Sequence, residues 1–157
     1  MPKRMTGFTL YELLIALAII SVLSALSAPS FIKWLHDIKL KTAIISLKHD
    51  MEFVKSSAIK TNSLVVINFY ENGYEIFSDS GENSGNWLLD DDEKLLKKVT
   101  LSDGVVVNLD KTTFRNERTR FKGNGTPSVL GTAVLIDKSG NMGKISLSRL
   151  GKITIKK

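Results

Sequence analysis

The sequence predicts an α+β protein in which a long N-terminal helix precedes a β-rich domain. Residues 8–28 are predominantly apolar and carry a single charged residue, Glu12, and apolar residues then recur at three- and four-residue spacing to about Lys60. From Leu64 onward, the pattern changes to that of β-strands separated by turns. A chain of 157 residues is therefore expected to hold one apolar helix and one domain of ordinary size.

The composition is that of a folded and mildly basic protein. Hydrophobic residues make up 43% of the chain and charged residues 24%, which argues against a disordered class. The absence of cysteine excludes a disulfide framework and a thiolate metal site. The formal net charge of +6 permits contact with nucleic acid or an anionic surface without requiring it.

The apolar segment at residues 8–28 is long enough to cross a bilayer. As a helix, its about 21 residues would span roughly 31 Å. Lys3 and Arg4 precede it, and positive charge retained in the cytoplasm places the N-terminus inside and the domain outside the inner membrane. An ionised Glu12 within the segment would cost on the order of 2.5–3.5 kcal/mol, so this carboxylate requires an explanation.

Two simple interpretations leave Glu12 unexplained. A secretory signal peptide accounts for the basic start and for the small residues before Pro29. Its apolar core is usually shorter, however, and Pro29 directly follows the expected cleavage position after Ala28. A plain membrane anchor accounts for the length and the basic flank but gives no reason for the carboxylate.

A third interpretation accounts for every residue of the segment. Residues 7–14, Gly-Phe-Thr-Leu-Tyr-Glu-Leu-Leu, resemble the prepilin cleavage and methylation motif of type IV pilins and type II secretion pseudopilins. The resemblance implies that prepilin peptidase, a membrane-embedded enzyme, cuts between Gly7 and Phe8 and that Phe8 is then N-methylated. Glu12 is the fifth residue after that cut, as in the family. Tyr11 departs from the usual Ile or Val but is also bulky.

The resemblance also implies a function for Glu12 in assembly. Cleavage would create a cationic α-amino group on Phe8, at the end of an apolar helix. The Glu12 carboxylate of a neighbouring subunit can pair with it, so that two costly charges are neutralised together. Other pilins or pseudopilins are therefore the expected partners, and the pair would fix the register of the subunits more than their net stability.

The next segment, residues 30–62, predicts an amphipathic helix. Pro29, where the family often carries a proline, is expected to kink the helix between the two segments. Thr61, Asn62 and Ser63 form the predicted stop. The apolar residues expected to pack on the domain are Leu35, Ile38, Ala43, Ile45, Leu47, Met51, Val54, Ala58 and Ile59.

Residues 63–157 predict the β-rich domain. Strands at residues 64–70 and 74–77 flank the turn Glu71-Asn72-Gly73 and predict a hairpin. Segments rich in Gly, Ser, Asn and Asp predict loops. The further predicted strands are 95–101, 105–109, 112–121, 133–137, 144–148 and 152–155.

Both ends of this domain resemble the GspH/FimT branch, which comprises minor pseudopilins and minor pilins. The similarity lies in residues 58–67, 121–125, 131–136 and 145–155, whereas residues 71–120 are not specific to the family. The resemblance implies a long N-terminal helix packed on an antiparallel β-sandwich-like domain. The expected segments are a leader peptide at 1–7, a transmembrane and filament-core helix at 8–29, an amphipathic helix at 30–62 and a periplasmic domain at 63–157.

The implied function is that of a structural subunit which primes or caps a type II secretion pseudopilus or a type IV pilus. Before assembly, it would be a single-pass protein of the bacterial inner membrane with a periplasmic domain. The sequence contains no nucleophile elbow and no paired-carboxylate pattern, so neither an enzymatic activity nor a cofactor is expected. A periplasmic binding or enzymatic domain behind an ordinary signal sequence is the less favoured interpretation.

No metal site is expected. His36 and His49 lie thirteen residues apart without a third ligand at a suitable spacing, which favours exposed helix histidines. The acidic run at residues 90–93 could attract Ca²⁺, but it lacks the glycine and the spacing of the terminal glutamate that an EF-hand calcium loop has. A solvated acidic loop is therefore favoured.

A DNA-binding function in DNA uptake is the alternative within the same family. Some FimT-like minor pilins bind DNA and carry two arginines, one residue apart, after a glycine near the C-terminus. The matching string at residues 151–154, Gly-Lys-Ile-Thr, keeps one cation of the two. The candidate DNA contacts are Arg118, Arg120, Lys122, Arg149 and Lys152. Alternation along a strand would put Arg118, Arg120 and Lys122 on one face, and no aromatic residue shares that face with them, so a solvated basic face is favoured over DNA binding.

Overall fold

The computed structural model describes residues 8–156, apart from the side chains of residues 26–28. The predicted leader at residues 1–7, including Gly7, lies outside the described residues. The contacts between residues divide the chain after Leu35 into two units, residues 1–35 and 36–157.

Helix α1 spans Leu10–Thr61 and includes Pro29. Among the described residues, no single helix is both long and apolar enough to cross a membrane. When α1 is divided at its bend into Leu10–Ala25 and Pro29–Thr61, the two parts taken together meet both criteria. The helix ends where the sequence predicts, because Asn62 adopts a left-handed φ of 48° and the amide of Ser63 donates to the carbonyl of Ala58. A left-handed residue of this kind commonly closes the last helical turn.

Within the described residues, eight strands form two antiparallel four-stranded sheets. The first sheet has the order β3-β2-β1-β5 and the second the order β4-β6-β7-β8. The strands are β1 Leu64–Tyr70, β2 Gly73–Asp79, β3 Lys94–Thr100, β4 Val105–Val107, β5 Arg118–Phe121, β6 Gly131–Asp137, β7 Met142–Leu147 and β8 Ile153–Lys156. Buried side chains from both sheets and from α1 form one apolar core, which confirms the predicted α+β architecture.

The hairpin between β1 and β2 has the two-residue loop Glu71-Asn72, since Tyr70 pairs directly with Gly73. A Cβ atom at Gly73 would lie 2.0 Å from the carbonyl oxygen of Val99 on β3. Only glycine therefore allows β3 to pair with β2 at this position.

The buried face of α1 differs in part from the predicted one. Ile45 and Ile59 are 50% and 49% exposed, whereas Ile44, which the prediction omits, is buried together with Leu40. Each residue turns the helix by about 100°, so Ile45 lies well off the line of residues spaced by three and four. The buried apolar side chains of α1 are Leu40, Ala43, Ile44, Leu47, Met51, Val54 and Ala58.

The strand predicted at residues 112–121 is wrong for most of its length. Only β5, its last four residues, is a strand, and a short 3₁₀ turn occupies Arg115–Glu117. Asn116 and Glu117 have φ values of 53° and 51°, which interrupt an extended chain. Just before the turn, the buried ring of Phe114 stacks on Phe69 at 5.5 Å, so packing in the core decides the path of this segment.

Candidate assembly motif and interaction surfaces

The N-terminal motif forms a capped helix start. The side-chain oxygen Oε2 of Glu12 accepts hydrogen bonds from the backbone N–H and the hydroxyl of Thr9, both at 2.9 Å. In return, the amide of Glu12 donates to the Thr9 hydroxyl at 3.2 Å. This reciprocal arrangement is a capping box, which satisfies amides that have no partner in the first helical turn. The capping box gives a local reason for the spacing of Thr9 and Glu12. The resemblance to the prepilin motif explains Glu12 only by pairing between subunits.

The other oxygen of Glu12 stays available. Within residues 8–156, Oε1 of Glu12 accepts no hydrogen bond, and no cation pairs with the carboxylate. Phe8, immediately before the capping residue, is 90% exposed. The two residues to which the sequence assigns modification and assembly therefore both remain accessible in the single chain.

The first part of α1 presents an apolar surface around the whole helix. Its large apolar side chains are exposed, among them Leu10, Leu13, Leu14, Ile15, Leu17, Ile19, Ile20 and Val22. Farther along, the rings of Phe31 and Trp34 lie 5.6 Å apart and are also exposed. A helix that is apolar on all sides is typical of a membrane span or of the interior of an assembly.

Two of the five candidate DNA contacts are already engaged within the domain. Arg120 forms an ion pair of 3.1 Å with Asp79, a carboxylate with no exposed surface, and its guanidinium lies 4.0 Å from the centre of the Trp87 ring. Arg118 donates to the backbone carbonyl of Trp87 at 2.8 Å. The ion pair neutralises Arg120, whereas Arg118 keeps its charge and has only one donor occupied.

The other three candidates, Lys122, Arg149 and Lys152, are exposed. They lie on loops outside the strand that carries Arg118 and Arg120. The structure therefore does not gather the five cations on one strand face.

Sequence reasoning missed Asp79 and Trp87. The buried Asp79 carboxylate accepts from Arg120 and from the amide of Gly85, the latter at 2.6 Å, and thereby holds the loop that follows β2. Trp87 lies far from the arginines in sequence, so alternation along β5 could not reveal the aromatic contact. A tryptophan within a loop of small polar residues was the available signal.

The acidic run at residues 90–93 organises its own loop. Asp92 accepts from the amide of Glu82 at 2.8 Å, and Glu93 accepts from the amide of Asp90 at 3.2 Å. Asp90 accepts from the side chain of Asn86 at 2.7 Å. Within residues 8–156, no group of three His, Cys, Asp or Glu side chains is placed to hold a metal ion.

The two histidines have separate surroundings. Nδ1 of His36 lies 3.2 Å from the hydroxyl of Ser139, near the turn after β6, and His49 lies 3.8 Å from Glu52 on the same helix. In that turn, burial opposes the charge of Asp137, but hydrogen bonds from Asn141 and Ser139 outweigh it and lower the pKa of Asp137. The Asp137 carboxylate therefore serves as an acceptor that shapes the turn.

Comparisons with known proteins support one family. Residues 43–151 match the model of the type II transport protein GspH, and residues 2–28 match the prokaryotic N-terminal methylation motif. No curated protein sequence matches the chain at a significant level.

Two solved structures share the fold. The minor pseudopilin EpsH from the type 2 secretion system of Vibrio cholerae is 11% identical, with a TM-score of 0.57 over 75% of this chain and 96% of that one. The type IV minor pilin FimU of Pseudomonas aeruginosa PAO1 is 16% identical, with a TM-score of 0.54 over 75% of this chain and 93% of that one. These identities support similarity of fold alone. The family-model match covers more than half of the sequence, and the chain therefore belongs to the family of the type II transport protein GspH, with a match to the N-terminal methylation motif at its start.

Proposed function

We propose that this chain is a minor subunit that primes or caps a filament of the type II secretion or type IV pilus kind. The observation that carries the proposal is the exposed apolar surface of the N-terminal helix. Glu12, which takes part in the cap of this helix, lies within that surface. Every residue of the apolar core of the folded domain lies at Leu40 or beyond. The exposed apolar side chains from Leu10 to Val22 are thus available for lipid and then for neighbouring subunits.

The proposed maturation uses the residues around the motif. Prepilin peptidase would cut between Gly7 and Phe8, and Phe8 would then be N-methylated. Before assembly, the helix would sit in the bacterial inner membrane with its N-terminus in the cytoplasm and the β-rich domain in the periplasm. Pro29 would kink the helix where it leaves the membrane. The match to the N-terminal methylation motif and the exposure of Phe8 support this sequence of events.

In the proposed assembly, the Glu12 carboxylate makes one contact within its own subunit and one with a neighbouring subunit. Its Oε2 atom caps its own helix through Thr9, and its Oε1 atom would receive the α-amino group of the neighbouring Phe8. In the apolar centre of a filament, a subunit in the wrong register would leave both charges unpaired, which is strongly unfavourable.

The maturation is tested by mass spectrometry of the N-terminus from cells that contain the cognate peptidase. We expect a chain that starts at N-methylated Phe8, and we expect Gly7→Val to leave the leader attached because a bulky side chain blocks the cut. A mature chain that starts near Ala28 would show that the segment is an ordinary signal peptide.

The role of Glu12 is tested by comparing Glu12→Gln with Glu12→Val. The amide oxygen of glutamine still accepts from Thr9, so Glu12→Gln keeps the helix cap and removes only the charge. We expect both variants to be processed and neither to enter filaments normally. Normal incorporation of Glu12→Gln would contradict the pairing of charges.

The position in the filament is tested by labelling the chain with gold and counting particles on intact filaments. A priming or capping subunit should appear at one end in very few copies, and filaments should be scarce in cells that lack it. Labels distributed along the whole length would identify a major subunit instead.

A further inference from the structure

The domain has a cleft whose lining residues take no part in the proposed filament assembly through α1. Its volume is about 200 Å³, and its lining residues are Trp87, Arg115, Asn116, Arg118 and Val129. These residues come from the loop between β2 and β3, the 3₁₀ turn, the start of β5 and the segment before β6. The cleft therefore combines an indole ring, an aliphatic wall, an amide and two guanidinium groups.

The cleft is held by buried groups. The Asp79 carboxylate has no exposed surface and binds both the amide of Gly85 and the guanidinium of Arg120. Arg120 in turn lies against the Trp87 ring. On the other side, the buried hydroxyl of Thr119 donates to the carbonyl of Val129 at 2.7 Å. A site whose walls are fixed in this way loses little conformational entropy when a ligand binds.

The two arginines that line the cleft have no acidic partner. Arg118 donates to the uncharged carbonyl of Trp87, and neither Arg118 nor Arg115 forms an ion pair with any residue in the described range 8–156. The guanidinium of Arg120, by contrast, is neutralised by Asp79. Two uncompensated guanidinium groups beside an indole present planar donors suited to an oxyanion.

The backbone around the cleft is held in a costly conformation. Trp87 has a φ of 70°, which is costly for a bulky side chain, and Asn116 has a φ of 53°, which asparagine tolerates better. Left-handed backbone at such residues is typically retained where the surrounding structure needs it, and it is concentrated at functional sites. Both residues line this cleft, so the strain coincides with the charge and the aromatic surface.

We propose that this cleft binds an acidic peptide segment of a partner protein. A carboxylate of the segment lies between the guanidinium groups of Arg115 and Arg118, and the methylene groups of its acidic side chains pack on Trp87 and Val129. Trp and Arg are the residues that most often dominate the free energy of protein–protein binding. A nucleic acid is disfavoured because its backbone requires a continuous row of free cations, and here the next cation along β5, Arg120, is neutralised.

The test uses the full-length ¹⁵N-labelled chain in detergent micelles and monitors the indole N–H signals by NMR. The chain contains two tryptophans, so Trp34 serves as an internal reference for Trp87. The ligand is the peptide acetyl-Asp-Asp-Asp-Glu-amide, and its neutral counterpart is acetyl-Asn-Asn-Asn-Gln-amide. We expect the acidic peptide alone to shift the Trp87 signal, with saturation, and to leave the Trp34 signal in place.

The matched variants are Arg115→Gln and Arg149→Gln, which remove the same charge from two exposed residues, of which only Arg115 lines the cleft. Arg115→Gln should weaken binding by about tenfold, as the loss of a charged hydrogen bond predicts, and Arg149→Gln should leave it unchanged. Neither arginine has a described partner to lose, so both variants should fold, which the remaining NMR signals verify.

Three results would overturn the proposal. The first is the absence of any saturable shift of the Trp87 signal. The second is equal weakening by Arg115→Gln and Arg149→Gln, which would indicate attraction by net charge alone. The third is tighter, Arg115-dependent binding of a single-stranded oligonucleotide of the same charge, which would make the cleft a nucleic-acid site. None of these results depends on cleavage at Gly7 or on the position of the chain in a filament.

Discussion

Tyr74 on β2 donates a 2.7 Å hydrogen bond to Oδ2 of Asp50, a buried carboxylate on α1. Lys97 on β3 donates to the other oxygen, Oδ1, at 2.6 Å. One carboxylate thus joins the helix to two strands of the first sheet. A buried charge of this kind is tolerated only because both of its oxygens have donors.

The substitution Tyr74→Phe should lower the free energy of unfolding by about 1.5–3 kcal/mol, the usual range for a hydrogen bond to a charged group. The measurement is urea unfolding of the full chain in detergent. Tyr70→Phe is the control, because Tyr70 is 42% exposed and donates to Glu75 at the surface. Equal losses in the two variants would mean that the Asp50 contact adds nothing beyond a surface hydrogen bond.

Alkaline pH should destabilise the domain through the same tyrosines. Partial burial, followed by the hydrogen bond to Glu75 and its charge, raises the pKa of Tyr70 to about 12. Burial and the bond to Asp50 also raise the pKa of Tyr74 above its ordinary value. In the unfolded chain, these phenols lose their protons at a lower pH than in the folded chain. Their contribution to the free energy of unfolding is therefore complete below about pH 10 and is lost as the pH rises through about 12.

Phenolate absorbance recorded against pH checks this prediction. In the wild-type chain, the Tyr70 step should appear near pH 12, and Tyr70→Phe should remove it. A Tyr70 that titrates near pH 10 in the folded chain would contradict the partial burial of this phenol and its hydrogen bond to Glu75.

Removal of the buried Asp79 carboxylate should be costly. Asp79→Ala leaves Arg120 without its counter-charge and should lower the free energy of unfolding by about 3–5 kcal/mol. The comparison is Asp103→Ala, which breaks the ion pair with Lys138 at a side chain that is 86% exposed. We expect no measurable change there, since solvent screens such pairs. Similar effects of the two variants in thermal unfolding would show that Asp79 is not a structural anchor.

Leu47→Ala and Ile45→Ala test which face of α1 is buried. Leu47 has no exposed surface, and its truncation should cost about 2–5 kcal/mol through lost contacts and a cavity. Ile45 is half exposed, and its truncation should change stability by no more than about 0.5 kcal/mol. The apolar face that the sequence predicts includes both residues, so similar large losses in the two variants in urea unfolding would support that prediction instead.

Much of the fold could be predicted because its signals are local. The helix stop at Thr61–Ser63, the hairpin at Glu71–Gly73 and most strand positions follow from spacing and turn residues, and the structure confirms them. The segment at residues 112–121 could not be predicted this way. Its path depends on Phe114 reaching Phe69, a contact between residues distant in the chain.

The candidate sites also differ in whether a local signal in the sequence reveals them. Glu12 could be identified from the sequence, because a lone carboxylate in an apolar run stands out wherever the chain folds. The environment of Arg120 could not, because its partners Asp79 and Trp87 lie more than thirty residues earlier. The sequence makes Arg120 a candidate phosphate contact, whereas in the structure Arg120 forms an internal ion pair with Asp79.

The sequence by itself determined the type of protein, since the motif at residues 7–14, the apolar run and the change from helical to strand spacing are all continuous in the chain. Only the tertiary structure decided which side of α1 is buried, where the chain leaves the extended conformation before β5, and that Asp79, Trp87 and Arg120 meet. The physical reason is that burial and charge pairing depend on distances across the fold, and these distances are set by the packing of both sheets and α1 into one core.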